Sequence, residues 1–145
     1  MMYVGIDPGK RGGIAAIMDD GSIMLSKFGS DACVGILEIA KQNGCKVVIE
    51  KVHSMPGQGV KSTFSFGQNF GWWHGVMDTL EIHRDLMMPK YWQKELGLQK
   101  PKGASQTEWK NILKDKAIEL YPGKDITLAT ADAVLIAHVN KLIND

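Results

Sequence analysis

An apolar segment that ends on an acid and turns at once constrains this chain more than any other feature. Residues 4–9 read Val-Gly-Ile-Asp-Pro-Gly, with Asp7 directly before the Pro-Gly pair. A short apolar run bounded by turn residues is typical of a buried strand. The pattern predicts a strand over residues 2–7 that carries Asp7 at its C-terminal tip.

Two further acids stand in comparable places. Residues 46–50 form a second apolar run that closes on Glu50, and Asp132 interrupts an apolar helical pattern over residues 128–142. Taken singly, these acids have ordinary explanations as a turn residue, a strand-end charge and the partner of a lysine. Buried carboxylates need a cation or a raised pKa, and hard cations prefer oxygen ligands. Together the three acids favour a metal site.

The remaining pattern predicts an α/β fold. Segments 12–18 and 22–28 flank the turn signal at residues 19–21, which indicates an antiparallel meander. A helix over residues 31–42 then leads to the strand at 46–50, and such a crossover makes that strand parallel to the first. Further helices are predicted over residues 62–78, from 89, from 105 and over 128–142, with one more strand within 80–88. The prediction is a mixed five-stranded sheet flanked by helices.

Composition limits the function without naming it. The 145 residues predict one domain, 1–145, and a net charge of +1 means that any affinity for nucleic acid must come from local patches. Cys33 and Cys45 lack metal-ligand spacing and favour a reducing compartment. The chain contains no apolar run of about 18 residues, so no membrane partner is expected. We therefore expect a cytoplasmic protein.

The ordered motifs resemble one family. They are Gly5-Ile6-Asp7-Pro8-Gly9, Glu50, Met55-Pro56-Gly57-Gln58-Gly59, Pro89-x-x-Trp92 and Ala131-Asp132-Ala133-Val134-Leu135-Ile136-Ala137. In this order they resemble the RuvC-type Holliday junction resolvases, most closely a short bacteriophage-like branch. The resemblance implies a ribonuclease-H-like fold and a bacterial or phage-infected cell. It also implies a homodimer that cuts two strands of a four-way DNA junction with Mg²⁺ or Mn²⁺, two ions per site.

The resemblance also implies roles for particular acids. Asp7, Glu50 and Asp132 match the family's catalytic metal ligands. The family commonly supplies a fourth acid about one helical turn before the last, where this chain has Leu128 and Ala129. Asp125 would serve in its place only if the final helix began late and the chain folded back.

Candidate DNA-binding residues lie in loops and in a lysine-rich stretch over residues 90–116. Lys100 and Lys102 stand in a Pro-Gly loop, while Lys51 and Lys61 flank the glycine-rich loop after Glu50. His53 occupies the neighbourhood where the family places an aromatic side chain near the junction. Each of these residues also has an ordinary interpretation, as a solvated lysine or a loop histidine.

A glycine face on the helix over residues 62–78 has two explanations. Gly67, Gly71 and Gly75 recur every four residues beside Phe70. Such a face allows close packing inside the monomer or a two-fold helix pair between subunits, and the resemblance favours the dimer.

Several functions remain open from sequence alone. The leading hypothesis is a structure-selective endonuclease that resolves four-way or related branched DNA. A broader nuclease acting on forks or RNA would use the same site, and a non-catalytic junction-binding protein would explain the missing fourth acid. An actin-like or sugar-kinase-like phosphotransferase also begins with a strand and an Asp-x-Gly turn, but the chain has no second glycine-rich phosphate loop.

Overall fold

Five strands form one mixed sheet in the computed structural model, which describes residues 1–51 and 57–145. The strands are β1 (Met2–Asp7), β2 (Gly13–Met18), β3 (Ile23–Lys27), β4 (Cys45–Glu50) and β5 (Asp85–Met87). Their order across the sheet is β3-β2-β1-β4-β5. The first three strands are antiparallel neighbours, whereas β4 runs parallel to β1 and β5 parallel to β4. The predicted meander and parallel crossover are both confirmed.

Helices cover both faces of the sheet. They are α1 (Ser30–Asn43), α2 (Val60–Thr79), α3 (Pro89–Glu95), α4 (Gln106–Leu120) and α5 (Ala131–Asn144). Side chains of α1 and α2 pack with Val4 and Ile6 on one face, and those of α4 and α5 form the core on the other. No helix in the described ranges has the length and apolarity needed to cross a membrane.

Helix α5 lies directly against the central strand because β1 has no side chain at Gly5. A Cβ placed there would collide with the Ala133 carbonyl and the Ala137 backbone nitrogen. At the other end of the helix, the fully buried Asn140 donates hydrogen bonds to the carbonyls of Val4 and Lys46, both at 2.9 Å. These contacts fix α5 along β1 and β4, so that its first turn reaches the carboxyl ends of both strands.

The predicted start of the last helix at Leu128 is wrong, since α5 begins at Ala131. A turn over residues 127–130 comes first. Its Thr127 backbone nitrogen donates to Thr130 Oγ1 at 3.1 Å, and the Thr130 nitrogen donates to the Thr127 carbonyl at 3.1 Å. The threonines favour this local bonding over another helical turn. Leu128 is consequently 49% exposed and off the helix, and Asp132 belongs to the first turn of α5.

The predicted start of α4 is confirmed in detail. Ser105 Oγ accepts a hydrogen bond of 3.1 Å from the Glu108 backbone nitrogen, which is the bond that a Ser-x-x-Glu capping pattern predicts. The inner face of α4 buries Trp109, Leu113 and Ala117 against α5. This packing sets the orientation of the opposite, charged side of α4.

Candidate active site

The fold brings three acids to one edge of the sheet. Asp7 ends β1 and Glu50 ends β4, and these strands are parallel neighbours in register from Met2 with Cys45 to Ile6 with Ile49. Asp132 approaches from the first turn of α5, above the same strand ends. The carboxyl ends of parallel strands are the usual place for a ligand in an open α/β sheet.

These carboxyls interact electrostatically. Burial, the nearby Asp7 charge and that of Asp132 raise the pKa of Glu50 to about 8. Burial and Asp7 likewise raise the pKa of Asp132 to about 7. The pKa of Asp7 is raised by burial, against the opposing effect of a hydrogen bond from Gly9. Asp7 thus disfavours ionisation of the other two acids, and carboxyls with raised pKa values at such a sheet edge mark a candidate functional site.

Each strand-end acid is held through one oxygen. Asp7 Oδ1 accepts a hydrogen bond of 3.1 Å from the Gly9 backbone nitrogen, and Glu50 Oε2 accepts one of 2.8 Å from the Trp92 indole nitrogen. Within residues 1–51 and 57–145, the second oxygen of either side chain and both oxygens of Asp132 accept no hydrogen bond. Those oxygens are available to a ligand.

The sequence analysis used Trp92 only as part of the Pro89-x-x-Trp92 motif and did not predict its contact with Glu50. The side chain is buried, yet its indole N–H is used on Glu50. The available signal was Pro89, which predicts a helix start. In the structure, Met87 of β5 pairs with Glu50 of β4, and α3 begins at Pro89, two residues after Met87. A helix that begins there places its first turn next to the end of β4.

Lys110 supplies a positive charge that acts on two of the acids. It lies on α4, and its charge lowers the pKa of both Asp7 and Asp132, against the larger effect of burial. In the sequence, Lys110 was only one member of the lysine-rich stretch. The packing of α4 on α5 distinguishes it from the others.

The donor set fits a hard divalent cation in its chemistry, because it consists of carboxylate oxygens alone. As the side chains stand, no three His, Cys, Asp or Glu groups in the described part of the chain meet the geometry of a metal site. Asp125, the candidate fourth ligand, is exposed, and it is absent from the interactions that shift the three acids. Helix α5 does begin late, as that role required, and Asp125 as a ligand stays a prediction.

The other candidate DNA-binding residues are exposed or lie outside the described residues. Lys51, Lys61, Lys100 and Lys102 are exposed, and Lys100 Nζ is 3.4 Å from Gln106 Oε1. His53 lies outside the described residues.

The glycine face of α2 is open. A Cβ at Gly67, Gly71 or Gly75 would meet no atom within 4 Å among the described residues. Phe70 is half-buried, packs on the core and lies with its ring centroid 4.3 Å from that of His74. Within the described residues the three glycines make no close packing contact inside the monomer, and the two-fold helix pair stays a prediction.

Comparison with known proteins shows the fold. No family model matches the chain, and no curated protein sequence matches it. A structure of Thermus thermophilus RuvC in complex with a Holliday junction substrate is similar at a TM-score of 0.63 and 15% identity, covering 99% of this chain and 96% of that one. A second Thermus thermophilus RuvC structure is similar at 0.57 and 16%, with the same coverage. The chain has the ribonuclease-H-like fold of RuvC, and the bacteriophage-like branch stays a prediction.

Proposed function

We propose that this protein is a metal-dependent, structure-selective endonuclease that hydrolyses phosphodiester bonds in branched DNA, four-way junctions above all. The observation that carries the proposal is the placement of Asp7, Glu50 and Asp132 at the carboxyl edge of the sheet, where Asp7 raises the pKa of the other two acids. The fold also supports the proposal, because it is similar to that of a RuvC whose structure was solved in complex with a Holliday junction substrate. The substrate itself is inferred from that similarity and from the sequence motifs.

Asp7, Glu50 and Asp132 would hold Mg²⁺ or Mn²⁺. When bound, a divalent ion, or a pair of them, activates the attacking water and stabilises the leaving oxygen. The chain contributes orientation: Gly9 holds one oxygen of Asp7 and Trp92 one oxygen of Glu50, so that the second oxygens stay available. The Lys110 charge favours the ionised forms of Asp7 and Asp132, which are the forms that bind a cation.

The decisive experiment compares two acids of the same chain. A labelled immobile four-way junction and a linear duplex of matched sequence are incubated with wild type, Asp132→Asn and Asp125→Asn protein in Mg²⁺, in Mn²⁺ and in chelator. We expect paired nicks in the junction alone, lost in chelator and in Asp132→Asn but kept in the exposed Asp125→Asn control. Cleavage by Asp132→Asn at the wild-type rate would contradict the proposal. Forked DNA and RNA substrates in the same panel test the broader nuclease.

A non-catalytic junction-binding protein is the second candidate, favoured by the absence of a fourth acid near the cluster in the described residues. Leu128 and Ala129 occupy the expected place, and Asp125 is exposed. This candidate predicts tight junction binding in chelator and no nicks in either metal. The same panel therefore separates it from the nuclease.

We further propose that the active form is a homodimer built on the open face of α2. The face presents three glycines to solvent, and Val60 and Phe64 in the same helix are 88% and 70% exposed. A two-fold pair of these helices would cover them and provide two active sites for one junction. Light scattering of Gly71→Leu tests this, because the monomer has space for the new side chain whereas a close helix pair does not. We expect a folded monomer; an unchanged dimer would contradict the assignment.

A further inference from the structure

A basic cavity of about 620 Å³ opens beside Asp7. Four cationic side chains line it: Lys10 and Arg11 from the turn after β1, Lys27 from the end of β3, and Lys110 from α4. Gly12 forms part of the wall, and a Cβ on Gly12 would lie 2.6 Å from Asp7 Cγ. The cavity and the carboxylate edge therefore share a boundary, with Lys110 facing both.

Three of the four cations lack protein partners within the described residues. The side chains of Lys10, Arg11 and Lys27 make no ion pair or hydrogen bond within residues 1–51 and 57–145. No acid is among the described lining residues. Like charges around one cavity repel each other, and a bound anion relieves that repulsion.

A second cavity shows that this arrangement is not general for the protein. It measures about 430 Å³ and opens on the opposite edge of the sheet, where β4 begins. Its two lysines, Lys41 and Lys46, share the lining with the acids Glu81 and Asp85. Positive charge is balanced by acids in that cavity, whereas the lining of the cavity beside Asp7 has four cations and no acid among the described residues.

The cavity also has an apolar wall. Phe28 and Leu128 line it, and Leu128 is 49% exposed. The Phe28 ring is fixed by an edge contact with Trp72, with 5.1 Å between ring centroids. Inorganic phosphate would use the cations and leave this wall in water. A phosphate that carries a sugar and base would cover both.

We propose that this cavity holds one nucleotide unit of the substrate strand, with its phosphate among Lys10, Arg11 and Lys27 and its sugar or base against Phe28 and Leu128. The inference rests on the proposed function, because it takes the anion to be part of the strand that the acids cleave. It places the strand across Asp7 toward β3. It also assigns DNA contact to a surface that sequence reasoning did not select.

The first test measures binding without cleavage. Anisotropy of a labelled junction and of a labelled single strand is followed in chelator across a salt series, for wild type, Lys10→Ala/Lys27→Ala and the control Lys41→Ala/Lys46→Ala. Both variants lose two positive charges. We expect the cavity variant to bind more weakly and its salt slope to fall by about 1 for each phosphate that it no longer neutralises, with the control near wild type.

The second test locates the phosphate. Single uncharged methylphosphonate linkages are placed in turn at the three positions on either side of the cut, or of the crossover if there is no cut. Wild type and control protein should lose affinity at one of these positions. The affinity of the cavity variant should be unchanged by a methylphosphonate at that position only, because the variant already lacks the lysines that would contact that phosphate.

Two results would overturn the inference. One is equal salt slopes and the same methylphosphonate profile in both double variants. The other is competition by inorganic phosphate as effective as that by a mononucleotide, which would make the cavity a free-anion site. Failure of the nuclease proposal gives a different result. The junction would stay uncut in Mg²⁺, while the cavity variant would still bind more weakly than the control and with a smaller salt slope.

Discussion

Both ends of α5 place a polar side chain against the sheet, but the two side chains differ in how far protein atoms satisfy them. At the C-terminal end, Asn140 is fully buried and donates to the carbonyls of Val4 and Lys46. At the N-terminal end, Asp132 joins Asp7 and Glu50, and burial raises the pKa of each acid. The Asn140 amide donates to two protein carbonyls, whereas the Asp132 oxygens accept no hydrogen bond within the described residues.

The difference separates structural from functional polarity in one helix. A buried amide with its donors used costs little and fixes α5 in register on β1 and β4. Buried acids crowded together destabilise the metal-free fold above their ordinary pKa values, and a protein gains from them only when a ligand binds. Free energy of unfolding, measured as a function of pH, distinguishes the two ends.

The largest expected effect is a loss of stability of metal-free protein as pH rises from about 5 to 8. Folded Glu50 and Asp132 hold protons up to about pH 8 and 7, whereas the unfolded chain releases them near 4.5 and 3.8. Stability is full below the unfolded values and is lost as pH rises through the folded ones. At about 1.4 kcal/mol per pKa unit, the loss should reach several kcal/mol in urea unfolding with chelator present.

The control for this prediction is Glu50→Gln, which keeps the shape and removes one charge. It should flatten the profile and be more stable than wild type at pH 8. Subtracting the two profiles also removes the opposite contribution of His74 and His138, whose pKa values burial lowers. Mg²⁺ or Mn²⁺ should restore wild-type stability at pH 8. A chelator profile that is flat or rises from pH 5 to 8 would contradict the account.

The sequence predicted the acids because strand ends leave a local signal. Asp7 precedes Pro-Gly, and Glu50 closes an apolar run, so a few neighbouring residues specify each position. The same is true of the meander, the parallel crossover and the Ser105 cap, all of which the structure confirms. Short-range patterns therefore carried the fold and the positions of the acids on it.

What the sequence did not predict depends on tertiary packing. Apolar periodicity continued through Leu128, but a threonine turn ends before α5 begins. The bond from Trp92 to Glu50 joins residues 42 positions apart, and the basic cavity combines the β1–β2 turn, β3 and α4. No window of neighbouring residues contains such information.

The second largest expected effect concerns Asn140, at the C-terminal end of α5. Asn140→Leu keeps the branched shape and removes the donors to one buried and one part-buried carbonyl, and an unsatisfied buried carbonyl costs about 1–3 kcal/mol. We expect a loss of about 2–4 kcal/mol in urea unfolding that is equal at pH 5 and pH 8, because no titrating group is changed. The control Asn144→Ala removes an exposed amide that bonds to Asn140 and should cost less than about 1 kcal/mol. A pH-dependent loss in Asn140→Leu would remove the contrast between the two ends.

The smallest expected effect is that of removing the hydrogen bond from Trp92, in the core, to Glu50. Trp92→Phe removes the indole donor to Glu50, a bond that lowers the pKa of this acid against the effect of burial. The pKa of Glu50 should therefore rise further, and the pH at which metal-free stability is lost should move upward. Metal affinity should fall about 10-fold, the lower end of what an outer partner of a ligand contributes. Titration calorimetry with Mn²⁺ at pH 7 and 8 measures it.

Trp109→Phe separates this electrostatic role from packing. Trp109 lies in the same core cluster as Trp92 and is also buried, but it makes no hydrogen bond to an acid within the described residues. Both variants should lose a similar amount of stability at pH 5, where Glu50 is protonated in the fold. Only Trp92→Phe should move the pH profile and weaken Mn²⁺ binding. If both variants moved the profile equally, the indole would matter only as core volume, and the acids would be positioned by the strand ends and α5 alone.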